Sequence, residues 1–337
     1  MKLSVIVTAF NRDAYIINAV ESILCQKEAV NDLQIIVSKN FESKETDDFL
    51  KEMECKNILD NVNGIGARIT NALNYADGDI IAFLQDDDYW LPGKIARIMK
   101  IFEEDEVDIL RDERTNVDGY GFSTGNRCKG PKKDTLISKS LNWHNGLKEL
   151  FKYCGKGLLS TLSVRASIMK EITPILKDIY YTIDDWIIYC SIDKGANLLI
   201  IPDILTCIRV HESASNFVEN SSRSQLGMIK FLKQAIKDEV KMEENLDDNL
   251  LLKFVKSENA KNIILLEIYG STKISPSFLF NTVKSFSTFL RTNHNFSNLV
   301  IVSIFFMNLL LPTFSTRVML ALKQNSLSRA FLITDRD

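Results

Sequence analysis

Three consecutive aspartates, Asp86, Asp87 and Asp88, follow the apolar run Asp79–Leu84 with only Gln85 between. Carboxylates so placed repel one another, which calls for a cation. A hard divalent ion such as Mg²⁺ or Mn²⁺ takes oxygen ligands, needs only one or two protein carboxylates, and fills its remaining positions with water and phosphate. The competing explanation is a solvated acidic turn that caps a helix starting at Leu91. A second acidic pair, Asp184-Asp185, stands immediately before Trp186. It suits a general base, with the N-terminal cap of a helix over Trp186–Ser191 as the competing explanation. His211 is a lone histidine that suits a metal, a phosphate or a loop hydrogen bond. The six cysteines form no CxxC pair, so they carry neither a zinc site nor a dithiol redox motif and are expected as buried thiols of a reducing compartment.

The elements around these residues alternate. Leu3–Thr8 is a β-branched run with the pattern of a buried parallel strand. Asn11 is placed to cap a helix in which Tyr15, Ile16, Ala19, Val20, Ile23 and Leu24 recur at helical spacing. Strand Leu33–Val37, helix Glu45–Glu54, helix Gly64–Tyr75 and strand Asp79–Leu84 follow. This order predicts a doubly wound α/β fold, with ligands gathered beyond the carboxyl ends of the strands at Thr8–Asn11, Ser38–Asn40 and Asp86–Asp88. Residues 113–145 are polar and glycine-bearing, which suggests loops or short strands beside the site. Two short strands, Asn197–Ile201 and Leu205–Val210, close the mixed part. Helices are expected over 222–242, 246–268 and 276–291, with a last apolar stretch from Leu299.

Five blocks of the sequence, in order from Ser4 to about Asn216, resemble the inverting family 2 glycosyltransferases of the GT-A fold. Ser4–Arg12 (Ser-Val-Ile-Val-Thr-Ala-Phe-Asn-Arg) resembles the opening strand and nucleotide-binding loop. Asn61–Arg68 (Asn-Val-Asn-Gly-Ile-Gly-Ala-Arg), with Asn71 and Ala76-Asp-Gly78, is similar to the helix that covers the donor. Phe83–Pro92 resembles the metal-binding aspartate motif, Asp184-Asp185-Trp186 the late acidic pair, and Arg209-Val-His211 the closing block near the donor diphosphate.

The resemblance implies an α/β GT-A domain with a Rossmann-like, mostly parallel sheet. It also implies transfer of a sugar from a nucleotide-diphosphate donor to a saccharide or lipid-linked saccharide in surface polysaccharide assembly. Donor contacts fall to Thr8, Ala9, Phe10, Asn11, Arg12, Ser38, Asn40, Asn63, Gly66, Arg68 and Asp86. Mn²⁺ or Mg²⁺ falls to Asp87, Asp88 and His211, and the catalytic base to Asp185 with Asp184 beside it. Two departures stand out. Where the family has an acidic pair after the second strand, this chain has Ser38-Lys39-Asn40, so a base is met by neutral groups and Lys39 faces phosphate or water. The first aspartate of the motif is Gln85. A degenerate, non-catalytic nucleotide-sugar-binding protein is therefore the alternative. A nucleotidylyltransferase is disfavoured, because Thr8–Asn11 lacks a glycine-rich phosphate loop.

The 337 residues divide into an expected nucleotide-sugar half (1–112), an acceptor and catalytic half (113–217) and a helical region (218–337). A formal charge of −3 gives no basic field, which argues against nucleic acid as a ligand. The start Met1–Phe10 lacks the pattern of a secretory leader, so a cytoplasmic location is expected. Between Glu267 and Asp335 the chain carries Lys273, Lys284, Arg291, Arg317, Lys323 and Arg329 and no carboxylate. Leu299–Leu311 falls short of the roughly 20 residues that span a bilayer. This segment is therefore expected as a packed helix, an oligomer contact, or a peripheral contact with the anionic inner face of the cell membrane.

Overall fold

The computed structural model describes residues 1–127, 130–153, 159–210 and 222–270. His211, the helix expected at 276–291 and the basic apolar segment beyond it lie outside the described residues. The chain forms two compact units, Met1–Ala214 and Ser215–Asp337.

In the first unit, strands β1 (Leu3–Ala9), β2 (Leu33–Lys39), β3 (Lys56–Leu59) and β4 (Ile80–Gln85) alternate with helices α1 (Ile16–Leu24), α2 (Lys44–Glu52) and α3 (Ile65–Leu73). There follow β5 (Tyr89–Trp90), α4 (Lys94–Glu104), β6 (Ile109–Val117), β7 (Ser123–Arg127), β8 (Thr135–Ile137), α5 (Trp143–Tyr153), β9 (Leu162–Arg165), α6 (Ala166–Leu176), α7 (Ile183–Asp193) and β10 (Leu198–Arg209). The sheet runs β3-β2-β1-β4-β9-β6-β10-β5, with β7 on β6 and β8 on β10. Strands β3, β2, β1 and β4 are parallel; β9 then enters antiparallel to β4 and β6, while β10 lies parallel to β6.

The β-branched run of β1 is buried at every position, as a central strand covered on both faces requires. Ile16, Ala19, Val20 and Ile23 turn one face of α1 onto that core. Chain order reverses at β1, since β2 lies on one side of it and β4 on the other. The crevice beyond the carboxyl ends of β1 and β4 is thus the switch point, where such sheets bind ligands.

Several boundaries differ from the sequence expectation. Tyr15 occupies the N-cap position of α1 without a side-chain cap, while Asn11 stands at φ 55 and clasps Asn40 instead. The helix expected from Leu91 starts at Lys94, because Tyr89–Trp90 pairs with β10 as a strand. The two late strands are one, Leu198–Arg209, with register shifts between Ile200 and Thr206. Residues 113–145 hold the end of β6 and all of β7 and β8.

The second unit contributes α8 (Ser222–Asn245) and α9 (Asn249–Gly270). Asp248 accepts from the Leu250 and Leu251 N–H groups at the start of α9. Asn259 and Asn262 donate across the hairpin to Glu243 and Glu239. Among the described residues no helix is long and apolar enough to cross a membrane.

Candidate functional site

The parallel strands deliver Thr8, Ser38 and Gln85 in register to one edge, Thr8 lying opposite both others. The Asp86 N–H donates to the Thr8 carbonyl at 3.0 Å, so the aspartate segment leaves β4 tied to the turn that leaves β1. In that turn the Asn11 N–H donates to the Asn40 side chain at 2.8 Å, and the Asn40 amide donates back to Asn11 at 2.7 Å. Arg12 then crosses to the aspartates. Its Nε and Nη2 reach the two Asp86 oxygens at 2.8 and 2.9 Å, and Nη2 lies 2.8 Å from Asp87 Oδ2.

The three aspartates have different surroundings. Asp88 is 3% exposed; its carboxylate accepts from Ser160 Oγ at 2.5 Å and from the Arg209 N–H at 3.1 Å. Burial, reinforced by the Asp87 charge, pushes the Asp88 carboxyl up to about 8. Burial likewise lifts Asp86 to about 7, against the pull of Arg12. For Arg12 itself burial works against the charge, yet the hydrogen bonds and charge of Asp86 outweigh it and hold the guanidinium above its ordinary value. Asp87 is the most open of the three, with a side chain 15% exposed, while its backbone carbonyl accepts from Arg209 Nε at 3.0 Å.

Arg209 is itself fixed. It donates to the Gly119 carbonyl and to Asn18, and its guanidinium lies 4.5 Å from the Tyr15 ring centroid and 5.4 Å from that of Tyr89.

Beneath Asp88 lies a polar network that the sequence reasoning missed. Ser160, fully buried, accepts the Gln85 N–H at 3.0 Å while its hydroxyl donates to Asp88. The Ser160 carbonyl accepts from Trp90 Nε1 and Lys94 Nζ. Lys94 Nζ also donates to Asp112 at 2.6 Å and to Thr206 at 2.7 Å. Nothing in the local sequence marks Lys94 for burial, since lysine is usually exposed; the available signal is Asp112, a charge inside an otherwise strand-like run. Burial lowers the Lys94 pKa and raises that of Asp112, so each ion depends on the other. Removing one partner leaves a buried charge, which costs about 3–5 kcal/mol. Lys94→Met is expected to lose about that much stability in urea denaturation, and Lys94→Met combined with Asp112→Leu to recover most of it. Equal losses in the single and double variants would show that the two charges are not coupled.

The side expected to meet a donor is built from α3 and the turn after β1. Arg68 is 2% exposed and donates to the Ala9 and Val62 carbonyls at 3.0 and 3.3 Å. Its guanidinium lies 5.2 Å from the ring centroid of Phe10, which is half exposed. Asn63 is exposed. Ser38 is fully buried and donates, at 3.5 Å, to Asp60 rather than outward. Lys39 faces neither phosphate nor water: it is 1% exposed, pairs with Asp47 at 2.8 Å and donates to the Phe41 carbonyl. Asp60, absent from the sequence expectations, also accepts from Asn71 and from the Val62 N–H.

Gly66 ties the segment that leads into the late acidic pair to the start of α3. A Cβ there would stand 1.9 Å from the Leu176 carbonyl oxygen and 2.5 Å from that of Ile179, so only glycine permits the approach. The Gly66 N–H donates to Ile179 at 3.1 Å, which stitches the lead into α7 against the start of α3. Asp184 and Asp185 occupy the first turn of α7, where the helix N-terminus favours negative charge. Asp184 is 6% exposed, whereas Asp185 is only partly buried.

The oxygens of Asp86 and Asp87 converge on one guanidinium and are a donor set suited to a hard divalent ion. Among the described residues, no three acidic, histidine or cysteine side chains are grouped ready to hold a metal.

Residues 4–153 match the family model described as glycosyl transferase family 2. An uncharacterized glycosyltransferase of Nostoc sp. is 26% identical over 254 residues, covering 71% of this chain and 75% of that protein. The GalNAc(5)-diNAcBac-PP-undecaprenol beta-1,3-glucosyltransferase of Campylobacter jejuni is 33% identical over 148 residues, 41% of this chain and 46% of that one. In three dimensions the chain is similar to S. aureus TarS 1-349 in complex with UDP, with TM-score 0.56, 14% identity, and coverage of 86% of this chain and 89% of that one. The mannosyltransferase PcManGT of Pyrobaculum calidifontis, solved with GDP-Man and Mn²⁺, gives TM-score 0.53, 12% identity, and coverage of 99% and 88%. These two likenesses establish the GT-A-like fold.

Proposed function

We propose that the chain, whose residues 4–153 match the glycosyl transferase family 2 model, is a member of that family and an inverting, metal-dependent enzyme that passes a sugar from a nucleotide-diphosphate donor to a lipid-linked saccharide. The observation that carries this reading is the convergence of Asp86 and Asp87 on a single cation at the switch point of the sheet. The undecaprenol-linked substrate in the name of the Campylobacter relative supports the choice of acceptor class. A cytoplasmic enzyme working at the inner face of the cell membrane would meet such an acceptor.

Within this reading the half-exposed Phe10, backed by the buried Arg68, forms the ledge for the nucleoside, with the Thr8–Asn11 turn, Asn40 and Asn63 shaping its walls, while Ser38 and Gly66 act from within by holding Asp60 and the lead into α7. Asp87, joined by Asp86, would hold Mg²⁺ or Mn²⁺, which supplies charge neutralisation for the departing diphosphate. Asp88 shapes the segment from below, since its oxygens are engaged by Ser160 and Arg209; His211 would join the metal as the resemblance implies. Asp185 accepts the proton of the acceptor hydroxyl as that oxygen bonds to the anomeric carbon. The bond to the diphosphate breaks on the opposite face, so the configuration inverts. Asp185 stands in the first turn of α7, where a helix N-terminus favours negative charge.

The reading is tested by calorimetric titration of UDP, GDP, CDP, ADP and dTDP, each with and without Mn²⁺. At least one is expected to bind, and to bind more tightly with the metal. Failure of all five under both conditions would overturn it.

A further inference from the structure

Among the described residues Lys94, Arg209 and Arg12 stand beside the aspartate segment, and they differ in how they are held. Lys94 is fully buried, and Arg209 is 5% exposed with its guanidinium donating to three separate acceptors. Both are fixed parts of the scaffold. Arg12 keeps a side chain 19% exposed and grips Asp86 and Asp87 only through the tip of a long, flexible stem. Its backbone is set by the Asn11–Asn40 clasp, so the stem can swing while its root stays in place.

We propose that Arg12 is the resident counter-ion of the aspartate segment, and that a divalent cation and the donor's diphosphate enter together because Arg12 must move from the carboxylates to the phosphates. This rests on the metal-dependent donor binding proposed above. A guanidinium and a divalent ion cannot share the same carboxylate oxygens: the metal needs the lone pairs that Arg12 occupies, and the two cations repel. A metal arriving alone strips Arg12 of its partners and leaves it without an anion. A diphosphate arriving alone meets an Arg12 already neutralised by two aspartates. When both arrive, the metal takes the carboxylate oxygens and the phosphate oxygens take the guanidinium fork, which suits phosphate as well as carboxylate. Each ligand therefore raises the affinity for the other, and by linkage the factor is the same in both directions.

The test is Mn²⁺ binding to the full chain without nucleotide, followed by electron paramagnetic resonance, in wild type, Arg12→Ala and Arg12→Lys. Arg12→Ala is expected to bind Mn²⁺ alone about tenfold more tightly than wild type, within the usual range of such couplings. Arg12→Lys, a cation without the bidentate fork, is expected to fall between them. Addition of UDP or GDP is expected to tighten Mn²⁺ binding strongly in wild type and much less in Arg12→Ala. If Arg12→Ala is misfolded by circular dichroism, Arg12→Gln carries the same comparison. Mn²⁺ affinity that is equal or weaker in the variant, while nucleotide still enhances it in wild type, would overturn the role of Arg12 and leave the metal-dependent reading standing. Absence of any Mn²⁺ effect with either nucleotide, in every variant, would overturn both.

Discussion

Asp185→Asn is expected to lower turnover by about 10²- to 10⁴-fold while nucleotide affinity stays unchanged. The substitution keeps the size of the side chain and removes its basicity, so the loss reports proton transfer alone. Asp185 is the partly buried member of the pair at the start of α7, and Asp184 is the enclosed one. Asp184→Asn is therefore expected to act first on thermal stability. A variant pair with the effects exchanged, active Asp185→Asn and inactive but stable Asp184→Asn, would move the base to Asp184. Donor binding by wild type without any turnover across acceptors would identify a nucleotide-sugar-binding protein that has lost catalysis.

The first half of the fold was legible because its signal is local. A β-branched run such as Leu3–Ala9 has few alternatives to a buried strand, and apolar residues at helical spacing place α1 and α3. The edge that gathers Thr8–Arg12, Ser38–Asn40 and Gln85–Asp88 follows from that alternation. What could not be seen depends on distant partners. Strand β3 is short and mostly exposed, so it has no apolar pattern and exists through pairing with β2. Lys94, Asp112, Ser160 and Thr206 come from four separate places in the chain, and nothing in their local sequence shows that they share one buried knot. Lys39 was expected outside because lysine usually is, whereas Asp47 and the Phe41 carbonyl hold it inside. The need for a cation beside the aspartates was legible from their charge alone. That Arg12 already stands there was not, because its reach depends on the clasp between Asn11 and Asn40.

The second large effect is expected at Asp87. Its carboxylate is the most open of the three and sits where the crevice between β1 and β4 would receive a diphosphate. Asp86 and Asp88 are more deeply enclosed. Loss of Asp87 therefore removes the ligand with most access to an incoming metal, and the metal's contribution to donor binding should go with it. Binding that depends on the Phe10 and Arg68 ledge should survive. The direct measurement is calorimetric titration of the tightest-binding nucleoside diphosphate into wild type and Asp87→Ala, with and without Mn²⁺. The account predicts that Mn²⁺ strengthens binding to wild type by about tenfold or more and has no effect on Asp87→Ala, whose metal-free affinity is retained or rises as Arg12 loses one of its two carboxylates. The same Mn²⁺ enhancement in both proteins would contradict it.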